Sequence, residues 1–83
     1  MFYTYILYSQ KIDKYYIGQT HDIPERLKTH NKRKNLGADD WVLCFQEEFI
    51  TRAEAVRRER EIKSKKRRSY IEQLISISKS VPH

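Results

Sequence analysis

The sequence predicts an α/β protein of the α+β kind: a small three-stranded, mostly antiparallel sheet flanked by helices, in the order β-β-α-β-α-α. Three observations carry this expectation. Two runs rich in aromatic and β-branched residues, FYTYILYS and KYYIGQT, are joined by a polar connection too short for anything but antiparallel pairing. Two capping signatures, D-I-P-E and T-R-A-E, each open a helix. A third strand-like run, WVLCFQEEFI, lies between those helices. The 83 residues hold one domain, 1–83. A chain this short buries only about 60% of its unfolded surface, so a polar residue near its core needs a reason to be there.

The elements follow in order. Residues 2–9 form the first strand and 14–20 the second. Asp22 caps the first helix, with Pro24 in its first turn and Glu25 completing a capping box, and the helix runs over about 23–32. NKRKNLGADD, residues 31–40, has a basic cluster and a glycine but no apolar periodicity, and is expected to be an exposed loop. The third strand occupies 41–50. Thr51 and Glu54 then box the start of a second helix that ends near Lys65. KSKKRRS interrupts the pattern. SYIEQLISI resumes it, with Tyr70, Ile71, Leu74 and Ile75 at helical spacing, and a frayed tail is expected from about 78 to 83.

Charge narrows the partners. Lys and Arg number 17 against 11 acidic residues, a net +6 that favours polyanions such as nucleic acid. No apolar run approaches the ~18 residues of a membrane span, and MFYTYILYS is too short and too polar for a signal peptide. A cytoplasmic location without membrane attachment is expected. The single cysteine, Cys44, excludes an internal disulfide and reads as a small apolar strand residue. There is no HExxH, CxxC, Walker loop, dinucleotide fingerprint or G-x-S-x-G, so no organic cofactor is expected. His21 reads as an exposed residue at the mouth of the first helix, and no part is assigned to His83.

Several polar residues stand in positions that an apolar side chain would suit. On a helical wheel Ile23 and Leu27 lie about 40° apart, with Arg26 and His30 bordering them. Their stems could simply cover apolar surface while their heads reach water. In the second helix Ala55, Val56 and Ile62 define an apolar stripe whose centre is Glu59, whereas Glu54 and Glu61 fall on the polar side. A carboxylate there calls for a cationic partner, a hydrogen-bond network or a metal ion. Alternation puts Tyr3, Tyr5 and Leu7 on one face of the first strand, and Tyr16 and Gly18 share a face of the second. Such tyrosines are compatible with core packing or with chemistry. A glycine inside a strand marks close approach by another backbone or a ligand.

Tyr16-Ile17-Gly18, followed by Arg26 ten residues and His30 fourteen residues after Tyr16, resembles the signature of the GIY-YIG nuclease family. Tyr3-Thr4-Tyr5 stands where that family has Gly-Ile-Tyr and keeps the tyrosine. Glu59, within RREREIK, falls where the family places a metal-binding glutamate. The resemblance runs from Phe2 to about Ile75. It departs at Tyr3, at an asparagine that follows the glutamate in some relatives, and in lacking the separate DNA-recognition domain of larger members.

The resemblance implies an endonuclease that hydrolyses phosphodiester bonds in DNA, in preference to RNA, with one Mg²⁺ or Mn²⁺. It implies Tyr5 beside the attacking water, as base or orienting partner, with Tyr16 next to it. Arg26 would clamp the phosphate, His30 would orient the water or move a proton, and Glu59 would hold the metal. Gly18 is structural in that site, and the basic run Lys32, Arg33, Lys34 would contact nucleic acid. Two other readings stand beside this one: a nucleic-acid binder that does not cleave, and a protein-interaction domain whose tyrosine-rich sheet docks a partner.

Overall fold

The structure, a computed structural model, describes residues 1–80, the side chains of residues 79 and 80 excepted. Strand β1 (Phe2–Ser9) is central, with β2 (Lys14–Thr20) and β3 (Val42–Phe49) on either side, both antiparallel to it. Helix α1 (Ile23–Lys32) follows β2, and α2 (Arg52–Ser64) and α3 (Arg68–Ser80) follow β3. The order is the one the sequence predicts, β-β-α-β-α-α.

Strand alternation sends β1 into two separate cores. Tyr5 and Leu7 pack against Ile23 of α1, Ala38 and Trp41 on one face. Ile6 packs against Ile17, Phe45 and Ile62 of α2 on the other, with Tyr70, Ile71, Leu74 and Ile75 of α3 closing over it. α1 therefore covers one face and α2 with α3 the opposite one. Thr4, which shares the second face with Ile6, is fully buried and donates its hydroxyl to the Ala55 carbonyl of α2 at 2.7 Å.

Both helices start at their expected caps, but only the second box is complete. Asp22 Oδ1 accepts from the Glu25 N–H at 3.1 Å, while the Asp22 N–H, which the box would give to the Glu25 carboxylate, donates to the Thr20 hydroxyl at 3.1 Å; at α2 both halves of the Thr51–Glu54 box are made. Between α2 and α3 the chain turns at Lys66, a non-glycine residue at φ 51°. That left-handed conformation cannot continue a right-handed helix.

Three further expectations change. The 31–40 segment is not simply an exposed loop. Ala38 is fully buried, and Asp40 accepts from the Ser9 hydroxyl at 2.5 Å and the Lys11 N–H at 2.8 Å, holding its carboxyl below the usual range. A thin core recruits its lid from a connection that has no periodicity of its own. The third strand begins at Val42 rather than at residue 41, because Trp41 turns into the core and is only 2% exposed. Pairing then skips from Ile6↔Phe45 to Leu7↔Leu43, which leaves Cys44, a half-buried strand residue as expected, at a β-bulge. Finally, helix α3 continues through residues 78–80, where the tail was expected to fray. Residues 81–83, His83 among them, lie outside the described residues.

Candidate active site

The site is built around Tyr5. Its cross-strand partner in β2 is Gly18, and the Tyr5 ring lies across that glycine. A Cβ at position 18 would sit 2.6 Å from the Tyr5 hydroxyl oxygen and 2.7 Å from Cζ. The close approach expected at Gly18 is thus made by a side chain, not by a backbone or a ligand. Only glycine leaves the phenol room to cross β2.

The crossing brings Tyr5 to α1. Tyr5 Oη and His30 Nε2 lie 3.2 Å apart. His30 is 7% exposed, so it does not merely border the stripe; its ring stands edge-on to Tyr16 at 4.5 Å between centroids and to Tyr5 at 6.2 Å. Tyr16 in turn stacks with Tyr5 at 6.4 Å. Trp41 backs both Tyr16 and His30. Arg26, one turn before His30, is exposed. A hollow of about 200 Å³ opens there, lined by Tyr16, Arg26, Thr29, His30, Arg33 and Asn35.

Electrostatics join these groups. Burial pushes the Tyr5 phenol up to about 12, with the neighbouring Tyr16 and the Glu59 carboxylate adding to the rise and the Arg26 charge opposing it. Burial also lowers His30, and the Arg26 charge lowers it further. At neutral pH Tyr5 is a phenol and His30 a neutral imidazole. A phenol held this high is poorly suited to act alone as a base.

Glu59 stands on α2, across the sheet from α1, and is joined to Tyr5 only through the charge effect just described. Its side chain is 19% exposed, and Oε2 accepts from Lys63 Nζ at 2.6 Å, one turn along the same helix. Glu54 and Glu61 are outside this cluster as expected: one completes the cap of α2 and the other pairs with Arg58. Among the described residues no group of three or more His, Cys, Asp or Glu side chains could hold a metal ion. Glu59 nevertheless fits a hard divalent cation. It is a single carboxylate whose Oε2 already holds one cation, the Lys63 ammonium, and Mg²⁺ is commonly bound through one or two carboxylates, waters and substrate phosphates.

Lys32, Arg33 and Lys34 are exposed at the end of α1, with Arg33 reaching the hollow and Lys34 at φ 52°. His21 is exposed. A larger hollow of about 590 Å³ lies beside Tyr3, His21 and Glu48, but none of the groups converging on Tyr5 lines it. Sequence reasoning missed Asn31, Asn35 and Trp41. The Asn31 amide donates to the Trp41 carbonyl at 3.1 Å and accepts from its N–H at 2.7 Å, while the Asn35 carbonyl accepts from the indole at 3.1 Å. The available signal was a lone tryptophan at the end of a polar segment, a large side chain that a small core would not leave in water.

An α+β fold whose YIG glycine lets one tyrosine cross to a helix-borne histidine defines a class of nucleases. The sequence matches the family described as GIY-YIG catalytic domain over residues 1–72, and the chain belongs to that family. Its members act on nucleic acid and generally use divalent metal ions. No curated protein and no solved structure matches the chain. Among the described residues no helix is long and apolar enough to cross a membrane.

Proposed function

We propose that the protein is a metal-dependent endonuclease that hydrolyses phosphodiester bonds in DNA. The observation that carries this reading is the convergence on one hydroxyl: Tyr5 meets His30 by contact and both Arg26 and Glu59 by charge. Hydrolysis of a phosphodiester needs a deprotonated water, compensation of the charge building on phosphorus, and help for the leaving oxygen.

The Tyr5 phenol orients the water rather than deprotonating it unaided. As the water's proton passes to Tyr5 Oη, the phenol's own proton passes to His30 Nε2, which its lowered basicity leaves free to accept. This assigns the resting His30 proton to Nδ1. Tyr16 holds the imidazole edge-on and keeps it from turning. Arg26 spans two phosphate oxygens with its planar fork. Glu59 would hold Mg²⁺ or Mn²⁺, which when bound would supply charge neutralisation to the phosphate and the leaving oxygen. Lys32, Arg33 and Lys34 engage flanking phosphates.

The test is cleavage of supercoiled, branched and single-stranded DNA in Mg²⁺, Mn²⁺ or EDTA, with Glu59→Gln as control. Metal-dependent cleavage by the wild type that Glu59→Gln lacks is the expected result. Binding without cleavage under every condition would replace this reading with that of a non-catalytic nucleic-acid binder.

A further inference from the structure

Strand β2 is an edge strand, and its two faces open on different hollows. Tyr16 faces the Arg26 hollow. Tyr15 and Ile17, on the opposite face, look into a groove of about 440 Å³ closed by α2 and α3. Lys14, Lys63, Lys66 and Arg67 line its rim. Lys63 is shared with Glu59, while Lys14, Lys66 and Arg67 have no acidic partner among the described residues. Asp13, the acid at the mouth, is already taken by Arg68 at 2.5 Å and by the Tyr8 hydroxyl at 2.6 Å.

Those bonds give the groove a flat platform. Asp13 and Glu72 hold the Arg68 guanidinium 5.2 Å above the Tyr15 ring, and the Arg68 side chain stays 47% exposed. Half-buried Ile71 continues this platform. Unpaired cations around a flat, partly apolar floor repel one another until a polyanion with a planar apolar part arrives. A bare phosphate would use only the rim, and a duplex keeps its bases stacked out of reach.

We infer that this groove binds an unpaired nucleotide, its base on the Arg68–Tyr15 platform and Ile71 and its phosphate on the Lys66 and Arg67 rim. The inference rests on the nuclease reading and narrows its substrate to nucleic acid with a single-stranded segment. The strand wraps the β2 edge, and Lys63 links groove to site through Glu59.

The test is fluorescence anisotropy of the full chain in EDTA, where no cleavage occurs. The probes are a labelled oligothymidine, the same strand with abasic residues, and a duplex of equal length. The wild type should hold the base-bearing strand about tenfold tighter than the abasic one, and tighter than the duplex. Arg68→Lys keeps the charge and the reach to Asp13 but removes the plane. It should erase the preference for bases while leaving abasic binding unchanged. Arg67→Ala should weaken both strands alike. Equal wild-type affinity for the two strands, tighter duplex binding, or an undiminished base preference in Arg68→Lys would overturn the inference. Base preference without cleavage in Mg²⁺ would sink the nuclease reading and leave the groove standing. Cleavage without base preference would do the reverse.

Discussion

Arg26 is exposed, so its loss opens no cavity, and the effect of replacing it falls on function alone. Arg26→Lys keeps a charge near Tyr5 and His30 but gives up the two-pronged contact. Cleavage should drop about 10- to 100-fold with no change in melting temperature, since a charge-assisted hydrogen bond contributes ~1.5–3 kcal/mol. Wild-type turnover in Arg26→Lys would refute the clamp. Glu59→Gln should lose metal-dependent cleavage yet melt at the wild-type temperature or only slightly lower. Its partner Lys63 is half in water, and an ion pair of that kind contributes at most about 1 kcal/mol. A variant that melts far lower but cleaves normally per folded molecule would make Glu59 a structural residue. The placement of Tyr16, Gly18, Arg26 and His30 was legible because they lie on one strand and the helix that follows it, where fixed spacing translates directly into direction. Glu59 was legible as a carboxylate in the middle of an apolar stripe. The burial of His30 was not, because the wheel cannot tell how far Trp41 and the tyrosines will close over a stripe's border.

The elements read well wherever their signals are local, as in the hairpin's length and the two caps. The 31–40 connection read poorly, because its order comes from what it lands on. Asn31 shows how that order arises: one amide bonds both backbone groups of Trp41 and so fixes the wall behind His30 and Tyr16. Asn31→Ala would leave a partly buried N–H and C=O without partners, at about 1–3 kcal/mol. Thermal melting should fall accordingly. Turnover should fall more than the unfolded fraction explains, because the His30 ring loses its support. If melting falls and turnover per folded molecule stays constant, Trp41 serves packing only.

Over the whole molecule, basic residues gather on both sides of the β2 edge, around Lys32, Arg33 and Lys34 and again around Lys66 and Arg67. Binding should therefore weaken steeply with salt, by a log-log slope of about −0.7 per contact for single strands and −0.9 for duplex. A flat response in a salt titration would remove the electrostatic footprint. The arrangement also sets a requirement. Tyr5 is in the sheet, His30 lies on one side of it and Glu59 on the other, so their spacing depends on how firmly α2 is seated. The Thr4 hydroxyl bonds the Ala55 carbonyl, the same group that helical geometry pairs with the Glu59 N–H. The residue next to Tyr5 and the turn carrying Glu59 are thus registered through one oxygen. Thr4→Val keeps the volume and should cost only about 1 kcal/mol of stability. The tolerance between water and metal should widen nonetheless. Effective molarity falls steeply with small misplacements of this kind, so single-turnover cleavage should slow while affinity for the uncut strand holds.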